Sequence, residues 1–181
     1  DGDQCLINSL DEDYSLKIIE FLRLFIAGHF SRIEYHKSFP IVEFLTLLFQ
    51  FTFKQKNCDR FLSLLEVWNI FIDIVLSISL KRTDFIEKYK SPLLSFASHV
   101  ACKVQFNFNQ NGLEELDDES LNDDNETELQ HFINHCLETV VKVADLFPLE
   151  VVSLVDQFFQ ENMKNYHELV FFITKDENGK P

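Results

Sequence analysis

The sequence predicts an all-α protein, built as an α-solenoid of antiparallel helix pairs with one long acidic loop. Glycine and proline number only four each among 181 residues, which favours long helices joined by short connections. Apolar residues recur at helical spacing along most of the chain, and its twenty phenylalanines follow that spacing. One stretch, residues 61–80, would form a helix that is apolar around most of its circumference, and such a helix needs other helices packed on several sides.

This central stretch carries a narrow polar stripe. Glu66, Asn69, Asp73 and Ser77 follow one another by three, four and four residues, which places them along one side of a helix. The length would suit a membrane span, but acidic and amide side chains at its middle would be costly in lipid. We therefore interpret it as a buried helix of a water-soluble stack, in which Glu66 and Asp73 form a solvated edge or cap a neighbouring helix.

Two helices are predicted before this stretch. The first begins near Asp13 or Ser15, either of which can cap it, and ends near His36; the second starts at Pro40. Residues 49–53 also alternate with period two, as in a strand, but the longer helical pattern outweighs that signal. Together they form a predicted helix pair over about residues 15–56.

Two further pairs are predicted, over about residues 58–106 and 127–173, with the acidic loop 107–127 between them. Prolines mark one helix start in each pair: Pro40, Pro92 and Pro148. Their spacings of 52 and 56 exceed the roughly 40–47 residues of a HEAT repeat, and the second interval contains the loop. HEAT-type pairs with one insertion would give this spacing, and a single helical bundle without repeats is the alternative.

Composition limits the classes of partner and chemistry. The net charge is −14, and nucleic acid is excluded as an expected partner because binding it needs clustered Lys and Arg. Four cysteines lie far apart without a CxxC pair, which indicates free thiols in a reducing compartment. No nucleotide-binding glycine motif, GxSxG or HExxH is present, so we expect no enzyme and no cofactor.

A metal site is also not expected. His131 and His135 lie four residues apart and would share one face of a helix, a spacing that zinc ligands use. The adjacent Cys136 points about 100° away from His135, and no second ligand pair is near in sequence. We therefore interpret the two histidines as solvent-facing.

The acidic loop is the most distinctive feature of the chain. Between residues 114 and 128 there are nine acids and no base, and the rest of the chain has 21 acids against 16 bases. Candidate partner-contacting residues are Glu114, Glu115, Asp117, Asp118, Glu119, Asp123 and Asp124. Two interpretations stay open: a solvated, disordered surface loop, or an arm that contacts a basic protein or folds back onto the solenoid. Interleaved leucines at 113, 116 and 121 are unusual for a purely solvating segment.

Three stretches resemble internal segments of exportins, which belong to the importin-β (karyopherin-β) family. They are residues 21–49, FLRLFIAGHFSRIEYHKSFPIVEFLTLLF, residues 113–124, LEELDDESLNDD, and the turn LEVW at residues 65–68. The resemblance extends over about residues 16–173. It implies that the chain is an internal part of a much longer HEAT solenoid, which as an isolated piece would expose apolar end faces.

The family resemblance implies a function. Exportins bind protein cargo together with Ran-GTP, pass nuclear pores by contacting FG-repeat nucleoporins, and release cargo in the cytoplasm. The family member that these segments resemble carries actin with profilin. In other exportins an acidic loop helps couple Ran and cargo binding, and residues 117–119, 123 and 124 lie in a similar position. We thus expect a non-enzymatic segment of a receptor that shuttles between nucleus and cytoplasm, and a Ran-independent helical scaffold is the alternative.

Overall fold

A computed structural model describes residues 12–34, 36, 39–82, 85–116 and 126–172. Within these ranges the regular secondary structure consists of seven helices and no strand. The helices are α1 Glu12–Ile33, α2 Ile41–Phe53, α3 Cys58–Ser79, α4 Glu87–Lys103, α5 Phe106–Glu114, α6 Glu128–Leu146 and α7 Pro148–Phe172.

Helix α3 lies at the centre of the core. Its N-terminus is capped by Asn57, whose Oδ1 accepts a hydrogen bond from the backbone N–H of Arg60 at 2.9 Å. Helix α3 meets the length and composition of a membrane span, but eight of its apolar side chains are buried among the other helices. The buried residues are Phe61, Leu64, Leu65, Val67, Trp68, Phe71, Ile72 and Val75.

Helices α1, α3 and α6 lie side by side in one layer, with α3 in contact with both of the others. Phe61 near the start of α3 contacts Phe132 near the start of α6, with ring centroids 5.9 Å apart. Further along both helices, Lys142 Nζ of α6 donates to Asp73 Oδ1 of α3 at 2.5 Å. The contacts advance in the same direction along both chains, so α3 and α6 run parallel.

Helices α2, α4 and α7 form the second layer. Lys90 and Glu150 pair near the starts of α4 and α7 at 2.7 Å, and Asn162 of α7 donates to Gln105, just after α4, at 3.2 Å. These two helices therefore also run parallel to each other. Helix α2 adjoins α4 through Phe53, whose ring lies 6.0 Å from that of Phe96.

The two layers are antiparallel to each other. Phe71 near the end of α3 contacts Tyr89 near the start of α4, while Trp68, one turn earlier in α3, stacks on Phe96 further along α4 at 4.2 Å. Successive antiparallel helix pairs with parallel helices inside each layer define an α-solenoid. The predicted all-α solenoid is thus confirmed.

Helix α4 corrects one expectation from the sequence. It begins at Glu87 and contains Pro92, whereas Ser91-Pro92 was expected to start it. Phe85 and Tyr89 are almost fully buried, so packing holds the turns before the proline in place. That packing offsets the loss of the N–H that Pro92 cannot donate to the carbonyl of Lys88. Residues 49–53 belong to α2 and are helical, as the longer pattern predicted.

Candidate protein-binding interface

The acidic segment is preceded by α5, in residues that we expected to be loop. The expectation of a loop over residues 107–127 is therefore wrong for residues 107–114. Asn109 interrupts the helix with φ −143° and ψ 38°, and its Nδ2 donates to the carbonyl of Lys103 at 2.9 Å. This bond satisfies a carbonyl at the C-terminal end of α4. Leu113 is fully buried and anchors the turn from which the acidic residues begin.

Sequence periodicity does not reveal α5 because the helix buries a single side chain. Phe106 and Phe108 are exposed, and Asn and Gln occupy most of the other positions. Without an apolar stripe, a nine-residue helix looks like a polar loop. Its position is decided by Leu113 and by the bond from Asn109 to α4.

The far end of the acidic segment is held by a capping box on α6. Thr127 Oγ1 accepts from the backbone N–H of Gln130 at 3.1 Å, and Gln130 Oε1 accepts from the backbone N–H of Thr127 at 3.0 Å. The sequence T-E-L-Q before an apolar run carries this signal and would have located the start of α6. Glu128 lies in the first turn, where a negative charge interacts favourably with the helix dipole.

A groove lies between the two anchors, at the end of the molecule where α3 and α6 begin. Glu126 lines it, and its carboxylate accepts from Asn134 Nδ2 at 2.5 Å and lies 3.5 Å from His131 Nδ1. The lining residues combine carboxylates with apolar and amide groups: Asn57, Cys58, Asp59, Leu62, Leu116, Glu126, Glu128 and His131. Asp59, Glu126 and Glu128 therefore add negative charge at the N-terminal ends of α3 and α6.

The structure places two of the seven candidate residues. Glu114 and Glu115 are exposed at the C-terminal end of α5, and Gln110 Nε2 donates to Glu114 Oε1 at 2.7 Å. The other five lie outside the described residues: Asp117, Asp118, Glu119, Asp123 and Asp124. The sequence did not reveal that Asp59 lines the groove. Asp59 is 55 residues away from Glu114 in the chain, and the packing of α3 brings it to this end of the molecule.

The thiols beside this groove are held in the neutral form. Burial, together with the nearby carboxylates Asp59 and Glu128, raises the pKa of Cys58 to about 11. Burial likewise raises the pKa of Cys136 to about 12. A protonated thiol is a poor nucleophile and a poor metal ligand, so these cysteines act as small core residues.

The remaining titratable candidates, two histidines of α6 and two carboxylates of α3, do not form a catalytic or metal site among the described residues. The rings of His131 and His135 are 4.4 Å apart, and within the described ranges no group of three or more metal-ligating side chains converges. Glu66 is exposed on α3, and Asp73 of α3 forms an ion pair with Lys142 of the neighbouring helix α6. What this end of the molecule offers is an acidic surface with apolar edges, suited to a basic protein surface.

Comparison with known proteins finds relatives along nearly the whole chain. The chain is 41% identical over 164 residues to Exportin-6-B of Xenopus laevis, which covers 88% of the chain and 14% of that protein. It is 39% identical over 177 residues to Exportin-6 of Homo sapiens, covering 96% of the chain and 16% of that protein. Exportin-6 of Dictyostelium discoideum is 34% identical over 165 residues, 88% of the chain and 16% of that protein.

The chain thus spans only 14–16% of the length of these curated relatives. No family model matches the sequence. No solved structure matches it either.

Proposed function

The chain is homologous to one segment of the exportin-6 proteins, and from this we propose that it forms an internal part of a nuclear export receptor that binds protein cargo together with Ran-GTP. The observation that carries the proposal is identity of 34–42% over 87–96% of the chain to several exportin-6 sequences. The helix pairs are HEAT repeats in this proposal. An α-solenoid offers the long curved surface that holding a folded protein requires.

The cargo in this proposal is actin carried with profilin, and the receptor shuttles between nucleus and cytoplasm by contacting FG-repeat nucleoporins. These partners follow from the family resemblance of the sequence. The described residues act in it by binding, without chemistry of their own. The protonated thiols of Cys58 and Cys136 agree with that role.

The acidic segment has a specific role in this proposal, which is to couple cargo binding to Ran-GTP binding. Its two ends are anchored on the solenoid by Leu113 and by the capping box of Thr127. Between these anchors, Asp59, Glu126 and Glu128 line one groove at the end of the molecule where α3 and α6 begin, and give it a negative charge. Such a region attracts a basic partner and orients it before close contacts form.

The experiment is a pull-down from nuclear extract with the full-length protein, with and without GTP-locked Ran. Because Leu113 is fully buried, the variant must keep it and change charge alone. The test variant therefore replaces five acids by their amides: Asp117, Asp118, Glu119, Asp123 and Asp124. The expected result is that wild-type protein retains actin and profilin only with Ran-GTP, and that the variant loses at least part of this dependence.

The control variant removes the same number of charges from exposed helical positions: Glu66, Glu138, Asp145, Asp156 and Glu161. It is expected to behave as wild type, since none of its five residues lines the groove of Asp59, Glu126 and Glu128. Cargo retention that ignores Ran in the wild-type protein would contradict the export proposal and favour the helical scaffold. Equal behaviour of the two variants would leave the acidic segment as a solvated insertion.

A further inference from the structure

A cavity of about 320 Å³ lies between α2 and α4 and reaches down to α3. Most of its lining is apolar or aromatic, and the three helices contribute Ile41, Leu45, Phe49, Trp68, Tyr89 and Pro92. Pockets that hold small molecules have volumes of roughly 300–1,000 Å³ and a lining of this kind, with a few polar groups that orient the ligand. We call it the α2–α4 cavity.

The α2–α4 cavity is bounded by packed helices. At one end, the ring of Phe49 lies 4.9 Å from that of His99, and the ring of Phe53 lies 6.0 Å from that of Phe96. These contacts join α2 to α4 beyond the middle of both helices. The cavity occupies the space between their N-terminal halves, so regular secondary structure forms its walls.

The α2–α4 cavity contains one buried polar side chain that lacks a partner. Tyr89 is 1% exposed, and its hydroxyl makes no hydrogen bond to any residue that the structure describes. The rings of Phe71 and Phe85 hold the Tyr89 ring from two sides, at 5.5 and 5.2 Å. A buried hydroxyl without a partner is unfavourable and rare in native proteins, so it points to a group that the cavity receives.

The charges beside Tyr89 are already paired. Lys88 Nζ donates to Glu34 Oε1 and lies 4.7 Å from the centroid of the Tyr89 ring. Burial and the nearby Glu34 carboxylate both raise the pKa of the Tyr89 hydroxyl, which therefore stays protonated and can donate. Because the ion pair carries no net charge, a neutral hydrogen-bond acceptor suits the cavity better than an ionic one.

We propose that the α2–α4 cavity binds a small neutral aromatic molecule that accepts a hydrogen bond from the Tyr89 hydroxyl through a carbonyl oxygen. The rings of Phe49 and Trp68 favour an aromatic ligand, because aromatic pairs gain energy from offset and edge-to-face contacts. A bound molecule contacts both α2 and α4 and thereby fixes the spacing of two neighbouring helices of the second layer. The inference does not depend on the proposed function.

The test uses two probes of nearly the same shape, titrated onto the full-length protein and followed by ligand-observed NMR. Acetophenone carries the carbonyl acceptor, and isopropenylbenzene has a methylene group in its place. Tyr89→Phe removes the hydroxyl alone. Tyr166→Phe removes a hydroxyl from an exposed position of α7 and is the matched control.

Two further variants fill the cavity from its exposed edges. Ser95→Trp introduces a large side chain from α4, and Val42→Trp does so from α2. Because they lie on different helices, one variant still tests the site if the other disturbs the packing. Circular dichroism of each variant checks that the helices are retained.

Acetophenone is expected to bind the wild-type protein and to lose roughly three- to tenfold in affinity in Tyr89→Phe, as removal of one hydrogen bond predicts. The affinity of isopropenylbenzene is expected to be the same in both proteins, and Tyr166→Phe is expected to change neither probe. Both tryptophan variants are expected to abolish the binding of acetophenone that depends on Tyr89.

Equal affinity of acetophenone for wild type and Tyr89→Phe would overturn the proposal. Binding that persists in both tryptophan variants would also overturn it, since the probe would then occupy another place. Neither Ran nor cargo enters the measurement, so its failure is distinct from failure of the export proposal.

Discussion

Helices α3 and α7 are similar in sequence pattern and different in surroundings. Both are long, 22 and 25 residues, and both carry apolar residues at helical spacing. Helix α3 buries eight side chains, whereas among the described side chains of α7 only Val151 is buried. The difference is in their neighbours: among the described residues, α3 packs against α1, α2 and α6, whereas the main contacts of α7 are with α4 and α6. In a solenoid, the stabilising effect of an apolar side chain thus depends on its place in the array.

The largest change in the free energy of unfolding is expected for a substitution in the buried helix α3. Phe71 of α3 is fully buried, with its ring 5.0 Å from Phe30 and 5.5 Å from Tyr89. Phe71→Ala is expected to lower the free energy of unfolding of the isolated chain by about 3–5 kcal/mol, because it leaves a cavity between both layers. Urea denaturation followed by circular dichroism measures the change.

Phe159→Ala on α7 is the matched control, since it removes the same side chain from an exposed position. It is expected to change the free energy of unfolding by less than about 0.5 kcal/mol. Equal losses of unfolding free energy for the two variants would mean that α7 is as well covered as α3, and would contradict the difference between the two helices.

A buried hydrogen bond gives the next effect. Trp68 Nε1 donates to Thr52 Oγ1 at 3.0 Å, and Thr52 Oγ1 donates to the carbonyl of Leu48 at 2.8 Å. Thr52→Val keeps the shape but leaves the indole N–H without an acceptor, and is expected to cost about 1–3 kcal/mol. Thr46→Val removes a similar bond to the carbonyl of Val42 on the exposed side of α2 and is expected to cost less than about 0.5 kcal/mol.

Thermal unfolding of both threonine variants, with tryptophan fluorescence as the probe, separates them. A loss for Thr52→Val no larger than that for Thr46→Val would show that the contact between α2 and α3 does not depend on this bond.

The smallest change in stability is expected for the ion pair between Lys90 of α4 and Glu150 of α7. Hydrogen bonding from Lys90 lowers the pKa of the Glu150 carboxyl. A lowered folded-state pKa stabilises the protein above the ordinary pKa of glutamate, and this contribution is lost as pH falls through the folded-state value. Glu150→Gln is therefore expected to lower the melting temperature slightly at about pH 7 and by less at about pH 3.

Glu161→Gln serves as the control for that pair, since Glu161 accepts a hydrogen bond from the neutral Gln157 on the same helix. At about pH 7 it is expected to lower the melting temperature less than Glu150→Gln does, because its hydrogen-bond donor is neutral. A pH-independent effect of Glu150→Gln would show that the pair does not hold α7 in place.

The sequence predicted some elements well and others poorly, for physical reasons. Helix α6 was found because Phe132, Cys136, Val140 and Val143 repeat every turn and are all buried. Helix α5 was missed because Leu113 is its only buried residue. The start of α4 was placed at Pro92, because a proline rule cannot anticipate that Phe85 and Tyr89 pack the turns before it.

At the candidate interface, too, some features could be predicted from the sequence and others could not. Its charge was evident from the run of acids, since charge needs no neighbours to be recognised. Its anchors were not all evident: the capping box at Thr127 is a local signal, but the contribution of Asp59 comes from a distant helix. Local patterns predict local features, and contacts between distant residues need the fold.

The sequence by itself determined the helical class, the apolar character of α3, the acidity of the segment after Leu113 and the relationship to the exportin-6 proteins. These features depend on composition, spacing and residue identity along the chain. Only the tertiary structure decided which apolar stripes are covered. Val75 of α3 and Val152 of α7 are chemically the same, yet one is fully buried and the other 65% exposed. Burial depends on the neighbouring helices, and no single helix specifies these.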